Sequence, residues 1–324
     1  MSVVALALTV AGCGGGSSAG GGSRVELSLV AYSTPQAAYE ALIKAFQKTP
    51  EGKNVTFTKS FGGSGDQSRA VEAGLKADVV AFSLEPDMTR LVKKGLVAED
   101  WTSQGDKGNV SYSVVALATR KGNPKGIKDW DDLTGSGVEV ITPNPFTSGG
   151  ARWNVLAGYG ATSNKGADRT AGVAYLDSLF THVPVQDDSA RKALQTFVGG
   201  KGDVMIAYEN EAIYARQQKQ PIDYVIPDST ILIQNPVAVT KTSAHPTEAN
   251  AFLKFLFGKE GQQIFVDQGY RPISKDTTAT FPTPSKLFTI EDLGGWTSVN
   301  KDFFDPSTGI MAGIEKKLGV STSK

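Results

Sequence analysis

From residue 24 the chain alternates between short apolar runs of period two and longer runs whose apolar positions recur near every third or fourth residue. "VELSLVAYS" (25–33) predicts a strand. After Pro35, "PQAAYEALIKAFQKT" places Tyr39, Leu42, Ile43 and Phe46 at helical spacing and predicts a helix. The same pair of patterns returns in "VTFTKSF" then "SGDQSRAVEAGL", "ADVVAFS" then "PDMTRLVKKGL", "GVEVITP" then "SGGARWNVLAGYGA", and "GDVMIAYEN" then "EAIYARQQK". Strand followed by helix, repeated, predicts an α/β fold with parallel strands covered by helices.

Two segments stand apart. "SVVALATRKGNP" (113–124) and "NPVAVTKTSAHP" (235–246) are each a β-branched run that ends in a basic residue and then Pro. They read as a pair of strands crossing between two lobes. Residues 24–112 and 242–324 then form lobe 1, residues 113–241 form lobe 2 with its crossing strands, and the cleft between them closes by hinge motion. The last part carries two helical stretches, "HPTEANAFLKFLFG" and "KEGQQIFVDQG", before a loop-rich run.

Composition narrows the function. Lys plus Arg and Asp plus Glu are each 33, so no global charge draws nucleic acid or an anionic membrane surface. One cysteine, Cys13, and two histidines, His182 and His245, leave zinc sites and Cys/His catalysis without ligands. No cofactor or metal is expected. Cys13 ends the apolar stretch "ALALTVAGC" and precedes the Gly/Ser tract "GGGSSAGGGS". This stretch is too short to span a bilayer and resembles the lipobox of bacterial lipoproteins. Residues 1–13 then read as a signal peptide ending at a lipidated Cys13, and residues 14–23 as a flexible tether. No Lys or Arg precedes the apolar run, so the true start is expected upstream.

The candidate chemistry lies where strands run into helices. Ser33 and Thr34 follow the first strand, "FGGSGDQ" carries Gly62, Gly63, Ser64 and Gly65, "FTSGGAR" carries Ser148, Gly149 and Gly150, and "QDDSARKAL" carries Ser189, Ala190 and Arg191. Small residues let a ligand approach the free N–H groups of a first helical turn, where the helix dipole favours negative charge. Several such ends facing one cleft would bind an anion. Ser, Asp and Gly are also ordinary N-caps. The paired glycines go further, since glycine in a first turn costs about 0.5 to 1 kcal/mol against alanine and a cap needs one small residue. Phosphate-loop, dinucleotide and nucleophile-elbow patterns are absent, which sets an enzyme aside. Neutral donors suit an oxyanion without a proton of its own, because a protonated one would leave its O–H unpaired. Asp66 reads as a favourable charge in a first helical turn.

These residues resemble a known family. "GVEVITPNPFTSGGARWN", with "GDVMIAYENEA", "GYRP", "KGNPKGIKDWDDL" and "KLFTIEDLGGW", is similar to the periplasmic sulfate-binding proteins that serve ABC transporters, over about residues 26 to 310. The resemblance implies a two-lobed type II periplasmic-binding-protein fold with the dianion buried between the lobes and held by uncharged donors. It implies a backbone N–H at Ser33, a seryl group at Ser64, hydroxyl and N–H donors at Ser148, Gly149 and Gly150, and a further N–H at Ala190. Tyr208 stands where enteric members use tryptophan, and Ser33 where they use an acidic residue. Both changes are reminiscent of molybdate-binding relatives, so molybdate, tungstate and thiosulfate stand as alternatives to sulfate. Arg152 is expected to support the binding loop or pair across the cleft, not to touch the ion, and Trp153 and Trp296 to pack. The implied partners are the oxyanion, an ABC transporter permease and, through a lipid anchor only, the membrane. The protein is then extracytoplasmic and monomeric, with no nucleic acid.

Overall fold

The computed structural model describes residues 24–278 and 280–322; the lipobox Cys13 and the tether 14–23 lie outside them. The first βα repeats are laid down as the alternation predicts: β1 (Val25–Tyr32), α1 (Gln36–Phe46), β2 (Val55–Gly62), α2 (Ser64–Glu72), β3 (Val79–Ala81) and α3 (Glu85–Lys93). β1 pairs in parallel with β2, from Val25 against Val55 to Tyr32 against Gly62, and with β3 on its other side. Its second half is buried on both faces because helices cover the sheet above and below, as parallel strands require.

The second half holds β4 (Asn109–Arg120), β5 (Val140–Ile141), α4 (Gly149–Thr162), α5 (Arg169–Thr181), α6 (Ala190–Val198), β6 (Val204–Tyr208), α7 (Glu209–Gln217) and β7 (Ile222–Val225). The chain returns through β8 (Ser229–Val239), α8 (Pro246–Phe257) and α9 (Lys259–Asp267), and ends with β9 (Lys286–Phe288), α10 (Gly295–Phe304) and α11 (Ile310–Lys317). Strand order is β2-β1-β3-β8-β4-β6-β5, with β7 beside β4 and β9 beside β8.

β4 and β8 are the long antiparallel neighbours on which the architecture turns. Val114 faces Leu232 in their ladder. Beyond it, β4 pairs with β6 from Val115 to Thr119, while β8 pairs with β3 from Val237 to Val239. Each strand therefore belongs to both halves of the sheet. Both start earlier than their quoted runs, in "NVSY" and "STILIQ", and stop before Pro124 and Pro246; Gly122 and Asn123, with φ of 77° and 47°, turn the chain after β4.

The C-terminal segment differs from its expected place with the first lobe. Phe288, Ile290, Trp296, Val299, Phe303, Phe304 and Met311 join one core with Trp153, Tyr159, Leu176 and Phe180 of α4 and α5. Trp296 meets Trp153 edge-on at 4.8 Å and Phe303 meets Tyr159 at 4.6 Å. Large apolar area is buried there, at about 25 cal/mol per Å², and it holds residues 286–317 to the second half. Among the described residues, α8, α9 and the following Tyr270 return to the first, with Phe252 and Phe265 in the core of β1 and α1.

Candidate functional site

The nominated residues are brought together at the seam between the halves. Ser148 caps α4, accepting from the Ala151 N–H at 3.4 Å, so its own proton stays available. Gly149 and Gly150 form the first turn, whose N–H groups lack helical acceptors. A methyl group on Gly150 would stand 3.4 Å from the Ala190 Cβ at the start of α6, 3.5 Å from Ser148 Oγ and 3.5 Å from the Tyr208 ring. Two helix N-termini and the end of β6 thus converge on one point. A small, largely apolar void of about 10 Å³, lined by Gly150, Ala190, Ala193, Met205, Tyr208 and Glu211, lies beside it.

The first half closes on the other side. Ser33 Oγ accepts from the N–H of Arg191 at 3.4 Å, which sets the β1–α1 loop against the α6 N-terminus. The Tyr208 hydroxyl lies 2.6 Å from Ser83 Oγ, and either group can donate. Burial pushes the Tyr208 phenol well up, so it remains a neutral O–H. The halves touch through backbone: a methyl group on Gly63 would meet the carbonyl oxygens of Thr147 and Asp188 at 2.8 and 2.9 Å, and one on Gly149 would meet Ser83 Oγ at 2.7 Å. Glycine is needed at both by this approach.

Ser64 sits in the cluster with its hydroxyl already spent. It donates to Asp87 Oδ2 at 2.6 Å and accepts from the Ser83 N–H at 3.0 Å. A hydroxyl has one proton, so Ser64 can offer a ligand its backbone N–H in the first turn of α2. Asp66 is turned outward to Arg69 at 2.6 Å, in keeping with a first-turn charge.

Among the described residues, the guanidinium groups nearest the cluster bond to protein acceptors, although the buried Arg191 Nε keeps no partner. Arg152 donates to Pro145 O at 2.9 Å and Asn300 Oδ1 at 3.0 Å and lies over the Phe304 ring, so it holds the loop before Ser148. Arg191 donates to Thr34 O at 2.7 Å, pairs with Glu211 at 2.9 Å and stacks on Tyr214. Trp153 is buried in the core and also donates across the seam to Ser83 O at 2.8 Å.

Two site residues escape a reading of the sequence. Ser83 follows β3 as the other serines follow their strands, but no glycine pair flags its junction. Glu211, 1% exposed, carries a raised pKa from burial, opposed by Arg191. Only the packing of α7 against α6 reveals that pairing.

The family model of bacterial extracellular solute-binding proteins matches residues 27–271. A sulfate-binding protein of Synechococcus elongatus is 44% identical over 316 residues, covering 93% of this chain and 90% of that protein. A thiosulfate-binding protein of Pseudomonas aeruginosa is 35% identical, covering 85% of this chain and 88% of its own. The solved structure of the sulfate-binding protein SubI from Mycobacterium tuberculosis superposes with a TM-score of 0.83 at 44% identity, over 86% of this chain and 99% of that one. Sequence match, shared architecture and the α/β halves joined by β4 and β8 agree: the chain belongs to the sulfate-binding protein family, within the bacterial extracellular solute-binding proteins.

Proposed function

We propose that this protein captures sulfate between its two halves outside the cytoplasm and delivers it to the permease of an ABC transporter, with no chemical step. One observation carries the reading. The N-termini of α4 and α6 meet beside the hydroxyls of Ser148, Tyr208 and Ser83, while each nearby guanidinium is bound to protein acceptors. The result is a cage of neutral donors for a dianion. Ser33, Ser64, Ser148, Gly149, Gly150, Ala190 and Tyr208 supply it, with Ser64 reduced to an N–H and one free proton left to the hydrogen-bonded Tyr208–Ser83 pair. Each donor to a charged oxygen contributes about 1.5 to 3 kcal/mol. Micromolar affinity needs about 8 kcal/mol net, so several donors suffice without a salt bridge.

Residues up to about 112 and the returning α8 and α9 act as one lobe, residues 113–241 with the C-terminal segment as the other, and β4 and β8 as the hinge. Binding shifts an open-to-closed equilibrium. Cys13 serves as the lipid anchor, and the chain works as a monomer on the membrane's outer face.

Ser148→Ala is expected to weaken sulfate binding about tenfold, through loss of one hydrogen bond to a charged oxygen. Calorimetry showing unchanged affinity would remove Ser148 from the cage. Affinity is expected to change less than about twofold from pH 6 to pH 8, because the donors are neutral and sulfate has no proton to lose there. A steep fall with rising pH would implicate Glu211, whose burial favours its protonated form. Thermal shift with sulfate, thiosulfate, molybdate, tungstate and phosphate tests the ligand itself, since a ligand that binds only the folded state raises the melting temperature. Sulfate should give the largest shift. Thiosulfate, named for one relative, is one dianionic alternative, as molybdate and tungstate are; a dominant response to molybdate, tungstate or phosphate would overturn the assignment.

A further inference from the structure

Outside the cage, the halves leave a groove of about 960 Å³ bounded by α2 and α3 on one side and α4 and α10 on the other. Its charged lining is Arg69, Arg90, Lys93, Lys94 and Arg152 against Glu72. The whole chain has a formal charge of zero, so this excess is local. Part of it is offset: Arg69 pairs with Asp66 at 2.6 Å, Arg90 with Asp87 at 3.2 Å, and both Arg90 and Lys94 with Glu72. Five cations less three carboxylates leave two positive charges. Arg152 bonds to neutral acceptors, and burial together with Arg90 and Arg69 pushes its pKa down to about 10, so it stays charged at neutral pH.

The groove begins at the cage wall. The Arg69 guanidinium is 3.2 Å from where a methyl group on Gly65 would stand, one residue after Ser64, and it reaches Phe146 O across the seam at 3.4 Å. Arg152 leaves α4 two residues after Gly150 and holds Pro145 in the same loop.

We propose that this groove is a cationic vestibule that draws small dianionic oxyanions to the mouth of the cleft and speeds their capture without touching the bound ion. The inference rests on the oxyanion reading above. A charged concavity with low-dielectric walls raises the local concentration of counter-ions and their association rate by about 10- to 1000-fold, and at a given potential a dianion gains twice the energy of a monoanion. Retention falls to the cage, whose donors are neutral. Arrival and retention therefore belong to different residues, and charge changes in the groove should act on the association rate.

Stopped-flow measurement of the full chain with sulfate, read through the total tryptophan fluorescence to which Trp153 at the seam contributes, separates the two rates. Lys93→Glu with Lys94→Glu reverses two exposed groove charges that take no part in the cage. Lys44→Glu with Lys48→Glu makes the same change in net charge near α1, which packs on α8 and α9 away from the groove. At about 10 mM ionic strength the groove variant should bind about tenfold more slowly, with a dissociation rate within about twofold of the parent. The α1 variant should keep its association rate within about twofold, and the groove effect should vanish near about 0.5 M salt. Equal slowing in both variants, or none in the groove variant, would overturn the vestibule. A parent protein that shows no sulfate signal by calorimetry would overturn the oxyanion reading and the vestibule with it.

Discussion

Arg191→Ala is expected to destabilise the fold by about 3 to 5 kcal/mol, the usual cost of stripping a buried carboxylate of its cation. Glu211 is the carboxylate, 1% exposed and 2.9 Å from Arg191. The loss should depend on pH with a definite sign. Burial already raises the Glu211 pKa above its ordinary value of 4.5, and Arg191 opposes that rise. Without the guanidinium the folded pKa climbs further, so the folded state holds a proton that the unfolded chain releases. Stability then falls as pH rises from the ordinary carboxylate value through the folded one. Urea denaturation across pH 4 to 8 reads this slope, and Glu211→Gln in the same chain should recover most of the loss and flatten the profile. A stable Arg191→Ala protein with no pH slope would show that Glu211 does not depend on Arg191 for its charge. The same substitution removes the bond to Thr34 O across the seam, so sulfate affinity should drop as well.

Gly149→Ala acts by shape alone. The added methyl group would stand 2.7 Å from Ser83 Oγ, 2.8 Å from its Cβ and 2.9 Å from Leu84 Cγ, all on the opposite half. Overpacking of this kind costs about 1 to 3 kcal/mol, which corresponds to roughly 5- to 150-fold in affinity when the clash exists only in the closed form. The helix itself should gain slightly, since alanine is the better residue in a helical turn. The expected result is a protein whose melting temperature without ligand is unchanged or higher and whose sulfate-induced shift is nearly lost. An unaltered dissociation constant would mean that Ser83 and α4 separate during binding, contrary to the proposed closure.

The sequence rules that pick out the proposed site are local ones, and the residues they pick out lie together where the controlling atoms are local. Ser33, Ser148, Gly149, Gly150 and Ala190 follow strands and open helices or loops within a few residues, so spacing and small-residue content point to their N–H groups. Ser64 was legible as a position, while the direction of its proton was not, because Asp87 reaches it from α3, 23 residues further on. Ser83 obeys the same strand-to-helix pattern without a glycine pair to mark it. The placement of the C-terminal aromatics was illegible for a related reason. Phe288, Trp296 and Phe303 present the same apolar pattern whichever half receives them, and only the shape of the α4–α5 surface decides.

The ladder between β4 and β8 has a mechanical implication. Two adjoining strands, bonded to each other along Ser111 to Val114, form a spine like that of a book, and the pages can swing while the stitching stays intact. On the proposed closure, the lips around Gly63 and Asp188, which touch across the seam, separate when the covers part. A membrane partner that grips those lips can tell a laden molecule from an empty one by their separation, with no need to feel the cargo.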